Sequence, residues 1–213
     1  MIVRTLEVGM LRTNCYLVVS EASHESAIID PGGDAAAILD ALDALGATAQ
    51  VILLTHYHFD HIMAVPDLVR QTGAPVAIHE AEAELLARPP TLFRLAQPDT
   101  PRLTADRLLR DGDTITIGAD TLRVLHTPGH SPGGVSYYAA EEGVVFVGDA
   151  LFAEGVGRTD FPGSSGAQLV RSIRERLFTL PDDTVVYPGH GPATTIGHER
   201  RANPWVGDRR GAY

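Results

Sequence analysis

The chain has 213 residues, of which 44% are hydrophobic, and its formal charge at neutral pH is -10. This length and apolar content suffice for one sizeable core, so we expect a single domain over residues 1–213. The acidic charge argues against a nucleic-acid-binding surface, because such surfaces carry clustered Lys and Arg. No apolar run approaches the roughly 20 residues of a membrane helix, and residues 1–7 lack the order of a signal peptide. We therefore expect a cytoplasmic protein that binds neither nucleic acid nor membrane.

The first third of the chain predicts three strands and one helix. Apolar runs predict strands at residues 2–8, 14–20 and 26–29, and a turn at 30–33 precedes a helix at 35–45. The single cysteine, Cys15, lies within the second strand and is interpreted as a core residue rather than a reactive thiol. Asp30 lies at the end of the third strand, where two interpretations stay open: a carboxylate that orients a metal-binding histidine, or an ordinary turn residue.

The densest cluster of polar side chains follows the apolar run 51–54, which predicts a short buried strand. Six positions there hold three imidazoles and one carboxylate, from His56, His58, Asp60 and His61. Zinc, iron and manganese accept these ligands, and a loop at a strand end can direct alternate side chains to two neighbouring centres. An isolated histidine would be an ordinary loop residue, but this density predicts a metal site.

The middle of the chain predicts a helix at 62–72, a strand at 75–79 and a helical segment at 80–86. His79 is interpreted as a polar residue at a strand end rather than a ligand. Residues 88–110 contain four prolines that interrupt any helical period, so we predict a long loop that exposes Phe93 and Leu95. Two roles stay open for this segment: a lid or substrate contact near the site, or a plain linker.

In the second half, strands again precede ligand-type residues. Strand patterns at 114–117 and 122–125 precede His130, the apolar run 144–147 precedes Asp149, and a strand at 184–187 precedes His190. Residues 129–133 also match G-x-S-x-G, the nucleophile elbow of serine hydrolases. We reject that match because Pro132, which follows Ser131, has no N–H for an oxyanion, and because residues 135–139 have a strand pattern instead of the required helix.

Residues 55–61 resemble T-H-x-H-x-D-H, the signature of the metallo-β-lactamase superfamily, and the Gly-His, Gly-Asp and Gly-His pairs at 129–130, 148–149 and 189–190 follow in that family's order. The resemblance covers nearly the whole chain. It implies an α/β fold, the four-layer αββα metallo-β-lactamase sandwich. It also implies a metal-ligand set that comprises one metal held by His56, His58 and His130, a second held by Asp60, His61 and His190, and Asp149 between the two.

Residues 155–163 are similar to the G-R-T-D stretch of the glyoxalase II-like and persulfide dioxygenase-like branches of that superfamily. We therefore favour the compact glyoxalase II-like branch over true β-lactamases. Arg158 is predicted to contact substrate, with a structural ion pair to Asp160 as the equally weighted alternative. An amphipathic helix is predicted at 168–180, and Trp205 is interpreted as a packing anchor.

The resemblance implies a binuclear metal-dependent hydrolase that cleaves a thioester such as S-lactoylglutathione with a metal-bound hydroxide. Two divalent ions, zinc first and iron or manganese as alternatives, would lower the pKa of a shared water and stabilise the oxyanion. Asp60 would also act catalytically by holding the hydroxide in line, and a thiolate leaving group needs little protonation. The expected partner is a small-molecule thioester, and the oligomeric state stays open.

Two other functions compete with this prediction. The first is a mononuclear iron persulfide dioxygenase, which would bind one iron per chain and consume oxygen. The second is a metal-binding protein without catalysis, which requires a metal with no open coordination position for water.

Overall fold

The computed structural model describes residues 1–208, and these form two compact units. The first unit comprises residues 1–109 and 115–121, and the second comprises residues 110–114 and 122 onward. No helix within the described part of the chain is long and apolar enough to cross a membrane. The single domain and the cytoplasmic location stay predictions.

The first unit contains a six-stranded sheet with the order β1-β2-β3-β4-β5-β6. Its strands are β1 (Ile2–Val8), β2 (Thr13–Val19), β3 (Glu25–Ile29), β4 (Thr48–Leu53), β5 (Val76–His79) and β6 (Arg107–Leu109). The pairs β1–β2 and β2–β3 are antiparallel, and β3 to β6 are parallel. All seven residues of β2 are buried, which confirms Cys15 as a core residue. Burial, with a smaller contribution from Asp30, raises the pKa of the Cys15 thiol well above its ordinary value.

Helical crossovers connect the parallel strands, as parallel pairing requires. They are α1 (Ala35–Ala44), α2 (Val65–Thr72), α3 (Ala83–Ala87) and α4 (Thr91–Ala96). The predicted face of α1 is confirmed, since Ile38 and Leu42 are buried. Helix α2 begins three residues later than predicted, because residues 59–61 form a separate 3-10 turn and Pro66, which has no N–H, lies in the first turn of the helix.

The predicted long loop at 88–110 is wrong in part. Helix α4 begins directly after Pro90, a position where a proline is tolerated because no intrahelical donor is required there. Phe93 is therefore buried at 4% exposure, while Leu95 is exposed as predicted. The segment ends in β6, which extends the sheet beside β5.

The second sheet has the order β14-β13-β10-β9-β8-β7. Its strands are β7 (Thr114–Ile117), β8 (Asp120–His126), β9 (Val135–Ala139), β10 (Val144–Gly148), β13 (Val185–Pro188) and β14 (Thr194–Thr195), and a separate hairpin joins β11 (Leu151–Phe152) to β12 (Gly155–Val156). β10 pairs with β13 in parallel and with β9 in antiparallel orientation, and every residue of β10 is buried.

Two helical segments cover part of the core of the second unit. Helix α5 (Gly166–Ser172) continues into a π-helical segment (Ile173–Leu177), and α6 (Ile196–Ala202) follows β14. Leu169, Ile173 and Leu177 are buried, so the predicted apolar face is confirmed. Trp205 is not a packing anchor, because it is 63% exposed, and its neighbour Val206 is fully buried in the core of this unit instead.

Candidate metal centre

The loop that follows β4 carries the ligand-type residues of the first unit. The Leu54 amide still donates to the Ala77 carbonyl at 3.0 Å, so the loop leaves directly from the paired edge of the sheet. His56, His58 and His61 are all buried. The ring centroid of His56 lies 4.5 Å from that of His58 and 4.2 Å from that of His61, so the three imidazoles converge. Three protonated rings at this spacing would repel each other, so neutral imidazoles that can bind cations suit this arrangement.

Asp30 orients two of these imidazoles. Its carboxylate accepts hydrogen bonds from the Thr55 amide at 2.7 Å and the Thr55 hydroxyl at 2.6 Å, and lies 3.0 Å from His61 Nδ1. Because the Thr55 hydroxyl donates to Asp30, its oxygen is available to accept from His56 Nδ1, which is 3.0 Å away. Both rings then carry their proton on Nδ1 and present the lone pair of Nε2 to a metal. Of the two interpretations of Asp30, the geometry favours the orienting carboxylate.

Asp60 belongs to the same loop and lies beside the turn that follows β3. Its Oδ2 lies 3.5 Å from His61 Nε2 and accepts a long hydrogen bond of 3.4 Å from the Thr13 hydroxyl. A Cβ atom on Gly32 would lie only 1.7 Å from the Asp60 carbonyl oxygen. Glycine at position 32 therefore allows the turn after β3 to approach the loop closely, and so contributes to the placement of Asp60.

Glu82 supports the loop from the 3-10 turn Glu80–Glu82, and the sequence does not predict this role. The side chain is fully buried, and its Oε2 accepts a hydrogen bond of 3.0 Å from the Tyr57 amide, between His56 and His58. Burial, and secondarily the charge of Glu82, raise the pKa of Tyr57 far above its ordinary value. Position 82 lies within an ordinary helical pattern, so no local signal distinguishes it. His79 caps the same turn by accepting from the Ala81 amide, as expected for a polar residue at a strand end.

Phe93 packs against the same loop. Its ring centroid lies 4.8 Å from that of His58 and 5.5 Å from that of Tyr57. The segment 88–110 thus contributes a buried aromatic wall beside a ligand-type residue, which favours a role near the site over a plain linker.

In the second unit, His130 follows β8 and is held on its Nδ1 side. Nδ1 lies 2.7 Å from the Arg158 carbonyl oxygen, which can only accept, so the ring carries its proton on Nδ1 and directs the lone pair of Nε2 away from this bond. The His130 carbonyl accepts from the Ser164 hydroxyl at 2.8 Å. Ser131, the nucleophile of the rejected motif, is buried, and β9 follows it, so the predicted strand is confirmed.

Asp149 and His190 complete the ligand-type residues of the second unit. Asp149 follows the buried strand β10, and His190 follows β13, its parallel neighbour. Asp149 Oδ2 lies 3.5 Å from His130 Nε2, and Asp149 Oδ1 lies 3.7 Å from His190 Nε2. Two ligands of one tetrahedral metal at 2.0–2.1 Å are separated by roughly 3.3–3.4 Å. The donor atoms of both units therefore have ligand-like spacings, and each oxygen of Asp149 faces a different imidazole.

Arg158 forms an ion pair with Asp160, which was the alternative to a contact with substrate. Its guanidinium donates to Asp160 through Nε at 3.0 Å and Nη2 at 2.8 Å, and it lies 4.6 Å from the centroid of the Phe161 ring. The hydrogen bond from Arg158 lowers the pKa of Asp160. Both side chains are exposed. Contact between Arg158 and a substrate stays a prediction.

Comparison with known proteins identifies the family. The sequence model of the metallo-beta-lactamase superfamily matches residues 8–190. The chain is 38% identical to the "probable metallo-hydrolase YqgX" of Bacillus subtilis, with 95% of this chain and 96% of that protein covered. It is 34% identical to the "hydroxyacylglutathione hydrolase GloC" of Haemophilus influenzae, with 97% and 99% covered.

Solved structures agree with this match. BLEG-1, a B3 metallo-beta-lactamase, is 41% identical with a TM-score of 0.88, over 96% of this chain and 99% of that one. TTHA1623, in a di-iron-bound form, is 39% identical with a TM-score of 0.86, over 95% and 100%. ETHE1 from Myxococcus xanthus is 35% identical with a TM-score of 0.83, over 97% and 84%. The predicted α/β class and metallo-β-lactamase sandwich are confirmed, and the chain belongs to the metallo-β-lactamase superfamily.

Proposed function

We propose that the chain is a binuclear metal-dependent hydrolase that cleaves a thioester into an acid and a thiol. The observation that carries this proposal is Asp149, whose two oxygens face two different imidazoles. A carboxylate in that arrangement can serve two cations at once. The 34% identity to a protein named hydroxyacylglutathione hydrolase supports a thioester as the substrate.

The proposed ligand assignment follows the family resemblance. His56, His58 and His130 would hold one ion, Asp60, His61 and His190 would hold the other, and Asp149 would bind both. Imidazole and carboxylate donors suit zinc, iron and manganese. The di-iron form of TTHA1623 shows that a similar chain accepts iron, so zinc remains a proposal.

The residues of the chain prepare the site for hydrolysis. Two bound divalent cations would supply a water of lowered pKa and positive charge near the oxyanion. The Nδ1 hydrogen bonds of His56, His61 and His130 keep these rings in the tautomer that binds a cation through Nε2. Asp60 is proposed to orient the attacking water. The thiolate leaving group needs little protonation, so no separate general acid is required.

The second candidate function is the mononuclear iron persulfide dioxygenase. The observation that favours it is the likeness to ETHE1 from Myxococcus xanthus, a persulfide dioxygenase, at 35% identity and a TM-score of 0.83. The di-iron form of TTHA1623 supports iron as the metal but not a single ion. The two reactions differ in metal content and in the need for oxygen, which a direct measurement separates.

Hydrolysis should be measured under oxygen-free conditions with metal-reconstituted protein and two S-lactoyl thioesters, those of glutathione and of N-acetylcysteamine. We expect turnover of at least one of them. Asp149→Ala should lower kcat/KM by at least about 100-fold, because cation-based charge stabilisation provides several kcal/mol. Full hydrolysis by Asp149→Ala would contradict the proposal. One iron per chain and oxygen uptake with a persulfide would establish the second candidate instead.

A further inference from the structure

A pocket of about 510 Å³ opens in the first unit beside Asp60. Its walls come from the β1–β2 turn, from the turn after β3, from the segment that runs from Phe59 into α2, and from Gln97 after α4. Asp60 itself lines the pocket, so any molecule that fills it lies next to a proposed ligand and catalytic residue. A three-carbon hydroxyacyl group is far smaller than this volume. The larger part of a thioester, its thiol half, is the better occupant.

Four large apolar side chains form part of the lining of this pocket. Met10 and Leu11, in the β1–β2 turn, are 77% and 51% exposed, and both line the pocket together with Phe59 and Met63. Large apolar side chains grouped on the surface mark binding sites, and the flexible thioethers of Met10 and Met63 adapt to ligands of different shape. This part of the lining therefore favours apolar contact with an occupant.

The pocket lining contains three carboxylates, of which Asp67 pairs with Arg70 at 2.8 Å and Asp60 is a proposed metal ligand. Its titratable lining residues are Asp34, Asp60 and Asp67, and no Lys, Arg or His of the described chain lines it within this unit. Asp34 accepts a hydrogen bond of 2.8 Å from the Gly9 amide, which holds the β1–β2 turn.

Of the three cations nearest along the chain, two are already compensated, and the third, Arg94, is exposed and does not line the pocket. Arg12, in the same turn, donates to Glu7 through both Nε and Nη2, and Arg70 pairs with Asp67 at 2.8 Å. Proteins recognise carboxylates with Arg or Lys, through charge-assisted hydrogen bonds. The side chains of the lining therefore offer a carboxylate-bearing occupant no cation to bind, apart from the metal ion proposed at Asp60.

We infer that this pocket selects a thioester whose thiol half is uncharged and apolar, and that it discriminates against anionic thiols such as glutathione. The inference rests on the proposed function, because it names the substrate class of that same site. It concerns this chain alone and leaves the activity of GloC unaffected.

The test compares two thioesters with the same acyl group, S-lactoyl-N-acetylcysteamine and S-lactoylglutathione. We expect kcat/KM to be at least about tenfold higher for the uncharged one, because a carboxylate that enters this lining loses hydration without gaining a cationic partner. Leu11→Arg adds a cation to the pocket lining and should shift this ratio about tenfold toward glutathione, mainly through KM. Leu108→Arg is the matched control, because Leu108 is 53% exposed in the same unit but lies outside the pocket. It should leave the ratio unchanged.

Binding provides a readout that does not require turnover. Calorimetric titration with the thioethers S-propyl-N-acetylcysteamine and S-propylglutathione should show tighter binding of the uncharged analogue by about tenfold. A preference for the glutathione compound in either measurement, or an equal shift in Leu11→Arg and Leu108→Arg, would overturn the inference. Absent hydrolysis of both thioesters with tighter binding of the uncharged analogue would instead refute the proposed function and leave the selectivity supported.

Discussion

At the scale of single residues, the site depends on side chains that are not themselves ligands. Asp30 accepts from the Thr55 amide and Glu82 accepts from the Tyr57 amide, so two buried carboxylates hold alternate positions of one loop. The imidazoles of His56 and His58 flank the second of these contacts. Outer partners of this kind keep ligands oriented before a metal arrives, which reduces the cost of binding it.

Glu82→Ala should lower the affinity for zinc by about 10- to 100-fold, because the Tyr57 amide would lose its buried acceptor and the ligand loop would lose its support. It should also lower the free energy of unfolding by about 1–3 kcal/mol. Competition with a chromophoric chelator measures the affinity. Glu82→Gln retains an acceptor oxygen and should recover most of it.

Leu86→Ala is the control for a purely structural effect. Leu86 is fully buried in the helix that follows Glu82, so its truncation should cost about 2–5 kcal/mol. The folded variant should nevertheless bind zinc with unchanged affinity. If the affinity of Glu82→Ala equalled that of the wild type, the proposed support by Glu82 would be wrong.

At the scale of elements, strands lead directly into ligand-type residues, and glycines allow neighbouring turns to approach those residues closely. β4 precedes the histidine loop, and β10 and β13 precede Asp149 and His190. The strand β12 leads into Gly157, where a Cβ atom would lie 1.9 Å from the Asp149 carbonyl oxygen and 2.9 Å from His130 Nδ1. This close approach places the Arg158 carbonyl oxygen within hydrogen-bonding distance of His130 Nδ1.

Gly157→Ala should displace Asp149, His130 or the loop itself, because the added methyl group has no room. We expect a loss of about 1–3 kcal/mol in the free energy of unfolding, as in other overpacked sites, together with weaker metal binding. Chemical denaturation and metal titration measure the two effects. At Gly155, two residues earlier, the closest atom to an added Cβ is 3.5 Å away, so Gly155→Ala should be nearly neutral. Equal behaviour of the two variants would show that the close approach has no consequence.

At the scale of the whole molecule, each unit contains clustered donor groups that suit a cation. The first contains three imidazoles and Asp60, and the second contains Asp149 with His130 and His190. Clustered donors of this kind repel each other or lose solvation without a cation, so metal binding and folding should be coupled.

Removal of metal by a chelator should therefore lower the melting temperature. A metal present at 1,000 times its Kd adds about 4 kcal/mol to the free energy of unfolding. Scanning calorimetry with and without the chelator measures the shift. Asp149→Ala should reduce it, because the variant binds metal less tightly. An identical melting temperature with and without metal would contradict the coupling.

The sequence by itself predicted a metal site from local features, and the resemblance carried by its motifs implied the family, the fold class and the ligand assignment. Four of the seven ligand-type residues lie within six positions. The other three follow apolar runs whose strand pattern can be recognised without the tertiary structure. The same local reasoning predicted the buried face of α1 and the core position of Cys15. The ligand assignment and the substrate contact of Arg158 stay predictions.

Only the tertiary structure decided which distant residues meet. The contact of Glu82 with the Tyr57 amide spans 25 residues, and the choice between two roles for Asp30 depended on a partner 31 residues away. Burial of Phe93 and exposure of Trp205 depend on packing against elements far along the chain, and a side chain's type does not determine that packing. Local patterns report hydrophobicity and backbone preference, whereas buried hydrogen bonds and pocket charge arise from long-range contacts that a single sequence does not display.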